Sequence, residues 1–551
     1  MSKWWQSAVF YQIYPRSFAD SNEDGIGDLH GITGKLDHLV DLGVDAVWLS
    51  PHFPSPNKDW GYDVADYTDV HPDYGTLDDF RELLAAAHDR GLKIVLDLVL
   101  NHTSDQHPWF VESRSSRDNP KRDWYVWHDG RDGGPPNNWQ STFGGPAWRH
   151  DEETDQWYYH FFVPEQPDLN WRNPEVKEAM FDAVRFWLDK GVDGFRLDAI
   201  GTIYEDPALP DHDVSESLLE LRRRSTAHDA GDTERYNIDE DLEAMFRHQT
   251  ELPETHDLMK ELRRVIDEYD DRVLVGETWS VDYYGTGDDE LHLNFNFPLL
   301  HTEVLTPQHI LANQRERFGA LPPGAWPCNT LGNHDVSRVK TNMGDGVHDD
   351  ELARISAAVV LLLKGTPSLY YGEEIGMTDY YLSDPSRFLD PISIWFHHEA
   401  QGKLPPERLL REAAQFGRDK CRTPMQWSSG PNGGFSPEGV PTWLPVNPNA
   451  DTGVNVADQT GRTDSLLEFY RRLLQVRRTH PALQVGDQEI LWADDAVLLF
   501  RRDVGDDALW VAINMSAEAQ RRDLPDGKTV FSTHRGTDDL APFEIRIATE
   551  S

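Results

Sequence analysis

The chain has 551 residues, with 52 Lys and Arg against 96 Asp and Glu, which gives a formal net charge of −44 at pH 7. A length of several ordinary domains of about 150 residues excludes a peptide hormone or a lone binding module. The acidic charge makes nucleic acids and anionic membranes unsuitable partners. Aromatic residues make up 11% of the chain, including 19 Trp, so we predict a globular protein that is rich in flat rings.

The N-terminal residues and the two cysteines indicate neither a secreted protein nor a disulfide framework. Residues Met1 to Gln6 show no signal-peptide pattern, and no window reaches the roughly 18 apolar residues of a membrane span. The two cysteines, Cys328 and Cys421, form no CxxC motif, which argues against a disulfide framework or a cysteine metal site. We expect a soluble, cytoplasmic protein without a membrane partner, acting as a monomer or homodimer.

Short apolar runs alternate with amphipathic segments as far as Tyr371. Segments such as Leu77–Arg90 and Pro174–Lys190 carry apolar residues three and four apart and end before Gly91 and Gly191, as helices do. The pattern predicts parallel strands joined by crossover helices, and eight strands are the number that closes a TIM barrel. A doubly wound open sheet is the alternative, although its glycine fingerprint is absent. The eight runs are Ala8–Ile13, Val44–Ser50, Ile94–Leu100, Val192–Leu197, Val273–Val275, Leu293–Phe297, Asn329–Gly332 and Ser368–Tyr371.

Two long stretches and the C-terminal region break this rhythm. Asn101–Trp171 and Gly376–Ala450 are rich in Gly and Pro and follow strands, so both would emerge at the carboxyl end of the barrel. After the helical pattern of Asp464–Arg478, short alternating runs such as Val497–Arg501 and Ala508–Ile513 indicate antiparallel strands. We predict an α/β fold with a (β/α)8 barrel at 1–101 and 172–480, an excursion at 376–450 after the eighth strand, an inserted domain at 102–171, and a C-terminal antiparallel β-sandwich domain at 481–551.

A loop just after the first strand has the spacing of a calcium-binding loop. Oxygen ligands stand at relative positions 1, 3, 5 and 9, glycine at 6, and a main-chain carbonyl is available at 7. Position 12 is glycine instead of Glu and no helix pair flanks the loop, so we predict a structural Ca²⁺ or Mg²⁺ and not a calcium switch. An Asx-rich turn without metal is the alternative. The predicted ligands are Asp20, Asn22, Asp24, Ile26 and Asp28.

Acidic residues stand where three of the predicted strands end. Asp198 closes the fourth run, Glu277 follows the fifth, and Asp335 follows the seventh. A single acid at such a position is usually a helix cap. Three of them on one face of a barrel, with His102 at the end of the third run and Arg196 two residues before Asp198, indicate an active site.

Paired carboxylates of this kind permit glycosidic chemistry. One carboxylate can attack the anomeric carbon while the other gives a proton to the departing oxygen. The aromatic residues suit the same substrates, because sugar C–H faces pack on flat rings, although any single Trp can equally belong to the core. A metal-carboxylate site is the alternative, but His102 and His334 lack HExxH spacing and Arg196 is a poor neighbour for a cation. No phosphate-binding loop and no organic cofactor are indicated.

At these residues the chain resembles the alpha-amylase family, glycoside hydrolase family 13, and within it the oligo-1,6-glucosidase and alpha-glucosidase group. The match runs from Trp4 to the C-terminus. The resemblance implies a catalytic (β/α)8 barrel, a domain B after the third strand and a C-terminal β domain. Its motifs here are Val9–Phe18, Asp97–His102, Gln166–Asn170, Gly194–Asp198, Gly276–Glu277 and Asn333–Asp335.

The resemblance also implies residue roles. Asp198 would be the nucleophile, Glu277 the general acid/base, and Asp335 the third acid, which holds hydroxyls of the distorted sugar. The remaining site residues would bind the substrate. Tyr62, His102, Arg196 and His334 would line the glucose site, Asp59 and Arg422 would form the pair that closes its far wall, and Phe143 and Phe162 would flank the scissile bond.

Linkage preference depends on residue 199, which follows the nucleophile. It is Ala199 here, whereas the 1,6-preferring relatives resemble one another in having Val. A smaller side chain leaves more room beside the acceptor sugar, which favours α-1,4 substrates such as maltose. A packing role for Ala199 is the alternative.

We therefore expect a retaining, exo-acting α-glucosidase on short oligosaccharides, with transglucosylation when a sugar replaces water. Oligo-1,6-glucosidase, sucrose hydrolase or isomerase and trehalose synthase are the alternatives within the family. A noncatalytic binding relative is a more distant one, since it would lack the acids at 198, 277 or 335.

Overall fold

The computed structural model describes residues 2–225, 239–302, 304–534 and 539–550. Eight parallel strands form one sheet, and each of them falls within or beside a run predicted from the sequence. Neighbouring strands pair in register from the first to the sixth and from the seventh through the eighth back to the first. The strands are Phe10–Ile13, Ala46–Leu49, Lys93–Val99, Gly194–Asp198, Val273–Gly276, Leu293–Asn294, Cys328–Asn329 and Thr366–Tyr370.

A single parallel bridge between Phe295 and Cys328 joins the two edges of this sheet. The N–H of Asn296 donates to the carbonyl of Cys328 at 2.9 Å beside it. The sheet therefore forms a nearly closed barrel, which confirms the predicted (β/α)8 class. Side chains at the carboxyl ends of all eight strands consequently face one end of the molecule.

Local sequence signals mark the ends of several helices. Thr76 caps Leu77–Asp89 and forms a capping box with Asp79, a contact that contributes about 1 kcal/mol to a helix. Gly91 (φ +78°) and Gly191 (φ +99°) follow two of the helices in the left-handed conformation that glycine adopts without strain. The helices of seven or more residues in the described part of the chain are Leu36–Leu42, Leu77–Asp89, Pro108–Arg114, Pro174–Asp189, Leu218–Ser225, Asp239–Phe246, Glu254–Ile266, Pro307–Ala320, Asp349–Leu362, Pro391–Glu399, Pro406–Phe416 and Leu466–Thr479.

The excursion after the third barrel strand carries a small antiparallel sheet. Its strands are Trp127–His128, Trp148–Asp151 and Gln156–Tyr159, with the last of them in the centre. The aromatic cluster of Trp139, Trp148, Tyr159 and Phe161 is buried beside this sheet. The segment is therefore an ordered unit at the carboxyl end of the barrel.

The C-terminal region forms an antiparallel sheet, as predicted, but the described strands make one sheet where a sandwich of two was expected. One face packs on the barrel cluster and the other is covered by apolar side chains that include Leu524 and Leu540. Asp487–Ala493 is a strand that the sequence analysis missed, because its side chains are largely exposed and its alternation is interrupted at Leu491. In sheet order the strands are Asp487–Ala493, Val497–Val504, Asp507–Asn514, Ile545–Glu550 and Gly527–Ser532.

Among the described residues, no helix has both the length and the apolar character needed to cross a membrane.

Candidate active site

One buried guanidinium organises the carboxyl end of the barrel. Arg196 lies two residues before Asp198 on the fourth strand, so both side chains point to the same side. Its Nη1 donates to Asp97 Oδ1 at 2.7 Å and to Asp198 Oδ1 at 2.8 Å, and its Nη2 donates to Glu277 Oε2. Three carboxylates from neighbouring strands therefore meet on one arginine that is 1% exposed.

The charges of this cluster are strongly coupled. Burial raises the pKa of Asp198, the carboxylates of Glu277 and Asp97 act in the same direction, and Arg196 opposes them. Burial likewise raises the pKa of Asp97 to about 6. Three carboxylates around one cation repel each other, so the cluster retains a proton more readily than isolated acids would.

The backbone at Ala199 brings Glu277 next to Asp198. Ala199 has φ +41°, a left-handed conformation that is uncommon for a residue other than glycine. Its N–H donates to Glu277 Oε2 at 3.1 Å. Such local strain persists only where the surroundings hold it, as they do in active sites.

Asp335 stands on the other side of the site with two arginines. Arg422 Nη2 donates to Asp335 Oδ1 at 2.7 Å, and Arg418 Nη1 lies 3.5 Å from the same oxygen. Burial alone would raise the pKa of Asp335, but the guanidinium groups of Arg422 and Arg418 outweigh it and place the pKa below the ordinary value. Asp335 is therefore an anion.

His334 is a neutral imidazole in a chain of hydrogen bonds. Its ring stacks on Tyr62 at 5.3 Å, and its Nδ1 lies 2.7 Å from the amide nitrogen of Gln12, which can only donate. The ring proton is consequently on Nε2, which donates to the Tyr62 hydroxyl, and that hydroxyl donates to Asp97 Oδ2 at 3.1 Å. Burial holds the pKa of His334 well below 6.5, so the ring is neutral.

The expected pair between Asp59 and Arg422 is wrong. Asp59 Oδ1 accepts from Arg418 Nη2 at 2.5 Å, while Arg422 bonds to Asp335. Arg418 is anchored in turn by Asp390, whose Oδ2 accepts from Nε at 2.7 Å. The two arginines stand four residues apart in one segment, and the sequence offered no signal to choose between them.

The predicted aromatic residues meet at the mouth of the site. His102 Nε2 donates to the carbonyl of Tyr62 at 3.1 Å, and its ring lies edge-on to Phe162 at 5.1 Å. Phe162 lies edge-on to Phe143 at 5.4 Å, and the Arg418 guanidinium lies 4.9 Å from the centre of the Phe143 ring. Burial lowers the pKa of His102 to about 3, so this histidine is neutral.

Several residues of the site were not predicted from the sequence. Asp97 lies inside the family motif Asp97–His102, and an acid in the interior of a buried strand was a signal for it. Trp48 Nε1 donates to Asp97 Oδ2 at 3.0 Å and Gln12 bonds to His334, but both residues read as ordinary barrel strand positions. Asp390 and Arg418 lie in the long excursion, where Arg422 was the one site residue predicted from the sequence.

Hydrogen bonds from its own main chain to its side chains shape the loop at 20–28. Asp20 Oδ1 accepts from the N–H of Glu23 at 2.7 Å, Asn22 Oδ1 from Asp24 at 3.1 Å, and Asp24 Oδ1 from Ile26 at 2.8 Å. Each of these side chains thereby holds the loop in a tight coil. Both oxygens of Asp28 accept hydrogen bonds from Ser21, and Oδ1 also accepts from Gly31.

The comparisons with known proteins agree with this geometry. The family model for the alpha-amylase catalytic domain matches residues 12–486. A probable alpha-glucosidase of Rhizobium meliloti is 43% identical over 95% of this chain and 91% of its own length. An oligo-1,6-glucosidase of Parageobacillus thermoglucosidasius is 38% identical over 95% and 92%, respectively.

Solved structures are similar over the whole length. The trehalulose synthase MutB of Pseudomonas mesoacidophila has a TM-score of 0.89 at 35% identity, with 100% of both chains covered. The alpha-glucosyl transfer enzyme XgtA has a TM-score of 0.87 at 36% identity, also with 100% of both chains covered. The chain belongs to the alpha-amylase family, and it is a glycoside hydrolase of the α-glucosidase type that acts on oligosaccharide substrates.

Proposed function

We propose that the chain is a retaining, exo-acting α-glucosidase that releases α-glucose from the nonreducing end of short α-glucosides. The observation that carries this proposal is the binding of Asp198 and Glu277 to one guanidinium, that of Arg196. Retaining glycosidases need their two carboxyl groups about 5 Å apart, whereas inverting enzymes leave room for a water molecule between them. Two carboxylates that share one guanidinium suit the shorter separation.

In this mechanism Asp198 attacks the anomeric carbon while Glu277 gives its proton to the departing glycosidic oxygen. The bond from carbon to the leaving oxygen breaks as the bond to Asp198 Oδ forms, which gives a covalent glucosyl intermediate. Glu277 then takes a proton from water, which displaces Asp198 and restores the α-configuration.

The exo-acting character rests on the wall beyond Asp335. Asp59, Arg418 and Asp390 form a continuous buried ion-pair chain there. This wall would block the nonreducing end of the bound glucose. Longer chains could therefore extend only towards the mouth of the site. Arg422 and Asp335 would hold hydroxyls of that glucose with charge-assisted hydrogen bonds.

Preference for α-1,4 links is the finer part of the proposal. The Ala199 side chain is small, and its backbone is held by Glu277, so a bulkier residue would reach towards the departing sugar. Named relatives include both alpha-glucosidases and oligo-1,6-glucosidases. Sucrose isomerisation is the second candidate, because trehalulose and isomaltulose synthases superpose with TM-scores of 0.88 to 0.89.

We also propose that the 20–28 loop holds a structural Ca²⁺ or Mg²⁺. Carboxylate, amide and carbonyl oxygens are the ligands that these cations prefer. The ion would brace the loop after the first strand; it has no part in the chemical steps.

The test measures glucose release from maltose, isomaltose, sucrose and trehalose, with NMR detection of the anomer formed first. Maltose turnover that gives α-glucose, and that is lost in Asp198→Asn, supports a retaining α-glucosidase. Initial β-glucose would overturn the retaining mechanism. In Ala199→Val, we expect the ratio of maltose to isomaltose activity to fall by about tenfold. An unchanged ratio would overturn the linkage proposal alone.

A further inference from the structure

The loop that carries Phe143 is held in place from outside the barrel. We call Ser141–Gly145 the mouth loop. It closes on itself through the Ser141 N–H, which donates to the carbonyl of Gly145 at 2.9 Å. Ser141 Oγ donates to the carbonyl of Phe162 at 2.6 Å, so one side of the loop is tied to the second mouth aromatic.

The opposite side of the mouth loop lies on an indole ring. Gly144 has φ +106°, and a Cβ atom placed on it would lie 1.9 Å from Cε2 of Trp395. The main chain of Gly144 is therefore in direct contact with the Trp395 ring, at a distance that only glycine permits. Trp395 belongs to the helix Pro391–Glu399, in the excursion after the eighth strand.

Trp395 also contacts the helices of the insert between the fourth and fifth strands. It packs on the apolar cluster of Leu218, Leu221 and Met245. From the same insert, Arg222 Nη2 donates to the carbonyl of Thr142 in the mouth loop at 3.2 Å. Two segments that are distant in sequence thus converge on one five-residue loop.

The helix that carries Trp395 is coupled to the wall of the glucose site. Its N-cap is Asp390, which accepts from the N–H of Ile392 at 2.9 Å and also anchors Arg418. Arg418 in turn lies against the Phe143 ring. A shift of the mouth loop would therefore remove Phe143 from Arg418 without breaking any contact of Asp198 or Glu277.

We propose that Trp395 is a positioning residue, which holds the mouth loop so that Phe143 selects the group on the leaving side of the scissile bond. An open cavity of about 520 Å³ beside Trp395, lined also by Lys58, Glu165 and Ile394, leaves the ring room to move when this contact is lost. This inference rests on the proposed α-glucosidase function only where its test measures the kinetics of maltose hydrolysis.

The first test is the variant Trp395→Leu. We expect the KM for maltose to rise by about tenfold while kcat changes by less than about threefold, because the loss is confined to binding on the leaving side. Amide hydrogen exchange of residues 141–145 should become about tenfold faster. Trp395→Phe keeps a ring face against Gly144 and should restore most of both properties. Ile394→Ala, on the same helix but 49% exposed, should leave both unchanged.

The second test is a double-mutant cycle with Gly144→Ala. The added methyl group collides with Trp395, so this variant should raise KM about as much as Trp395→Leu does. Both substitutions disrupt the same contact. The KM of the double variant should therefore exceed that of Gly144→Ala by no more than about twofold. The proposal would be overturned if the effects of the two substitutions on KM multiplied in the double variant. It would also be overturned if Trp395→Leu left both KM and the amide exchange at 141–145 unchanged.

Failure of the α-glucosidase proposal would look different. It would appear as a lack of turnover in the wild-type protein, and the exchange measurement would still decide whether Trp395 holds the mouth loop.

Discussion

Two groups of buried arginines in the described part of the chain differ in their acceptors. In the active site, Arg196, Arg418 and Arg422 each bond to carboxylates. At the junction between the barrel and the C-terminal sheet, Arg477 and Arg502 donate to main-chain carbonyl oxygens. All five are at most 7% exposed, so burial alone does not distinguish the two uses.

The junction arginines close the end of a helix. Arg477 Nη1 donates to the carbonyl of Leu361 at 2.9 Å and Arg502 Nη1 to that of Leu362 at 2.6 Å, which are the last two residues of the helix Asp349–Leu362. These carbonyls have no partner within the helix, and the helix dipole makes them favourable neighbours for a cation. The contacts attach the barrel to the C-terminal sheet.

The electrostatic consequences are opposite. Burial lowers the pKa of Arg477 to about 10, because carbonyl dipoles compensate a cation less than carboxylates do. In the site, burial also acts against the cation, but Asp97 and Glu277 outweigh it and raise the pKa of Arg196. In these five arginines, carboxylate acceptors accompany the site and main-chain carbonyl acceptors accompany the junction.

The largest expected effect comes from replacing an arginine of the active-site group. Arg196→Lys replaces a planar fork with a single ammonium group, which cannot reach Asp97, Asp198 and Glu277 together. We expect kcat/KM for the preferred substrate to fall by about a thousandfold. A fall of less than about tenfold would show that the shared guanidinium is dispensable.

The variant Arg502→Met tests whether the arginines at the junction stabilise the fold. Three carbonyls, those of Leu362, Gly486 and Asp487, lose their donor, so we expect the free energy of unfolding to fall by about 2 kcal/mol in urea titrations. The kcat should stay within about twofold. Arg501→Met is the matched control on the same strand, where the partially exposed pair with Glu550 should contribute less than about 1 kcal/mol.

The buried carboxyl group of Glu373 should make the stability of the protein depend on pH. Burial raises the pKa of Glu373 from 4.5 to about 8, and its Oε1 has no hydrogen-bond partner among the described residues. Between these two values the native state keeps a proton that the unfolded state releases, so stability falls as the pH rises from about 4.5 to about 8. Glu373→Gln should remove about 3 kcal/mol of this decline in unfolding measured at pH 6 and pH 9. Parallel curves for the two proteins would refute the assignment.

The smallest expected effect is that of the proposed cation. Millimolar Ca²⁺ should raise the melting temperature by about 2 °C, because a ligand that binds only the native state stabilises it. Asp24→Asn should abolish this increase. Asp66→Asn is the control, since Asp66 also caps an exposed turn through the N–H of Thr68 but lies outside the 20–28 loop. An equal response of both variants would remove the loop as the binding site.

Much of the fold follows from local patterns. The eight apolar runs, the glycines after two helices and the antiparallel alternation near the C-terminus each depend on residues that are close in sequence. The strand Asp487–Ala493 was missed because its exposed side chains and the irregularity at Leu491 hide the alternation.

The sequence by itself determined the barrel, the acids at its strand ends and the family resemblance, because strand spacing and short motifs are local properties. The tertiary structure decided that Arg418 pairs with Asp59, that Arg196 gathers three carboxylates, and that Trp395 lies against Gly144. These contacts join residues up to 359 positions apart. Their geometry depends on how strands, excursions and helices pack together, and no local pattern carries that information.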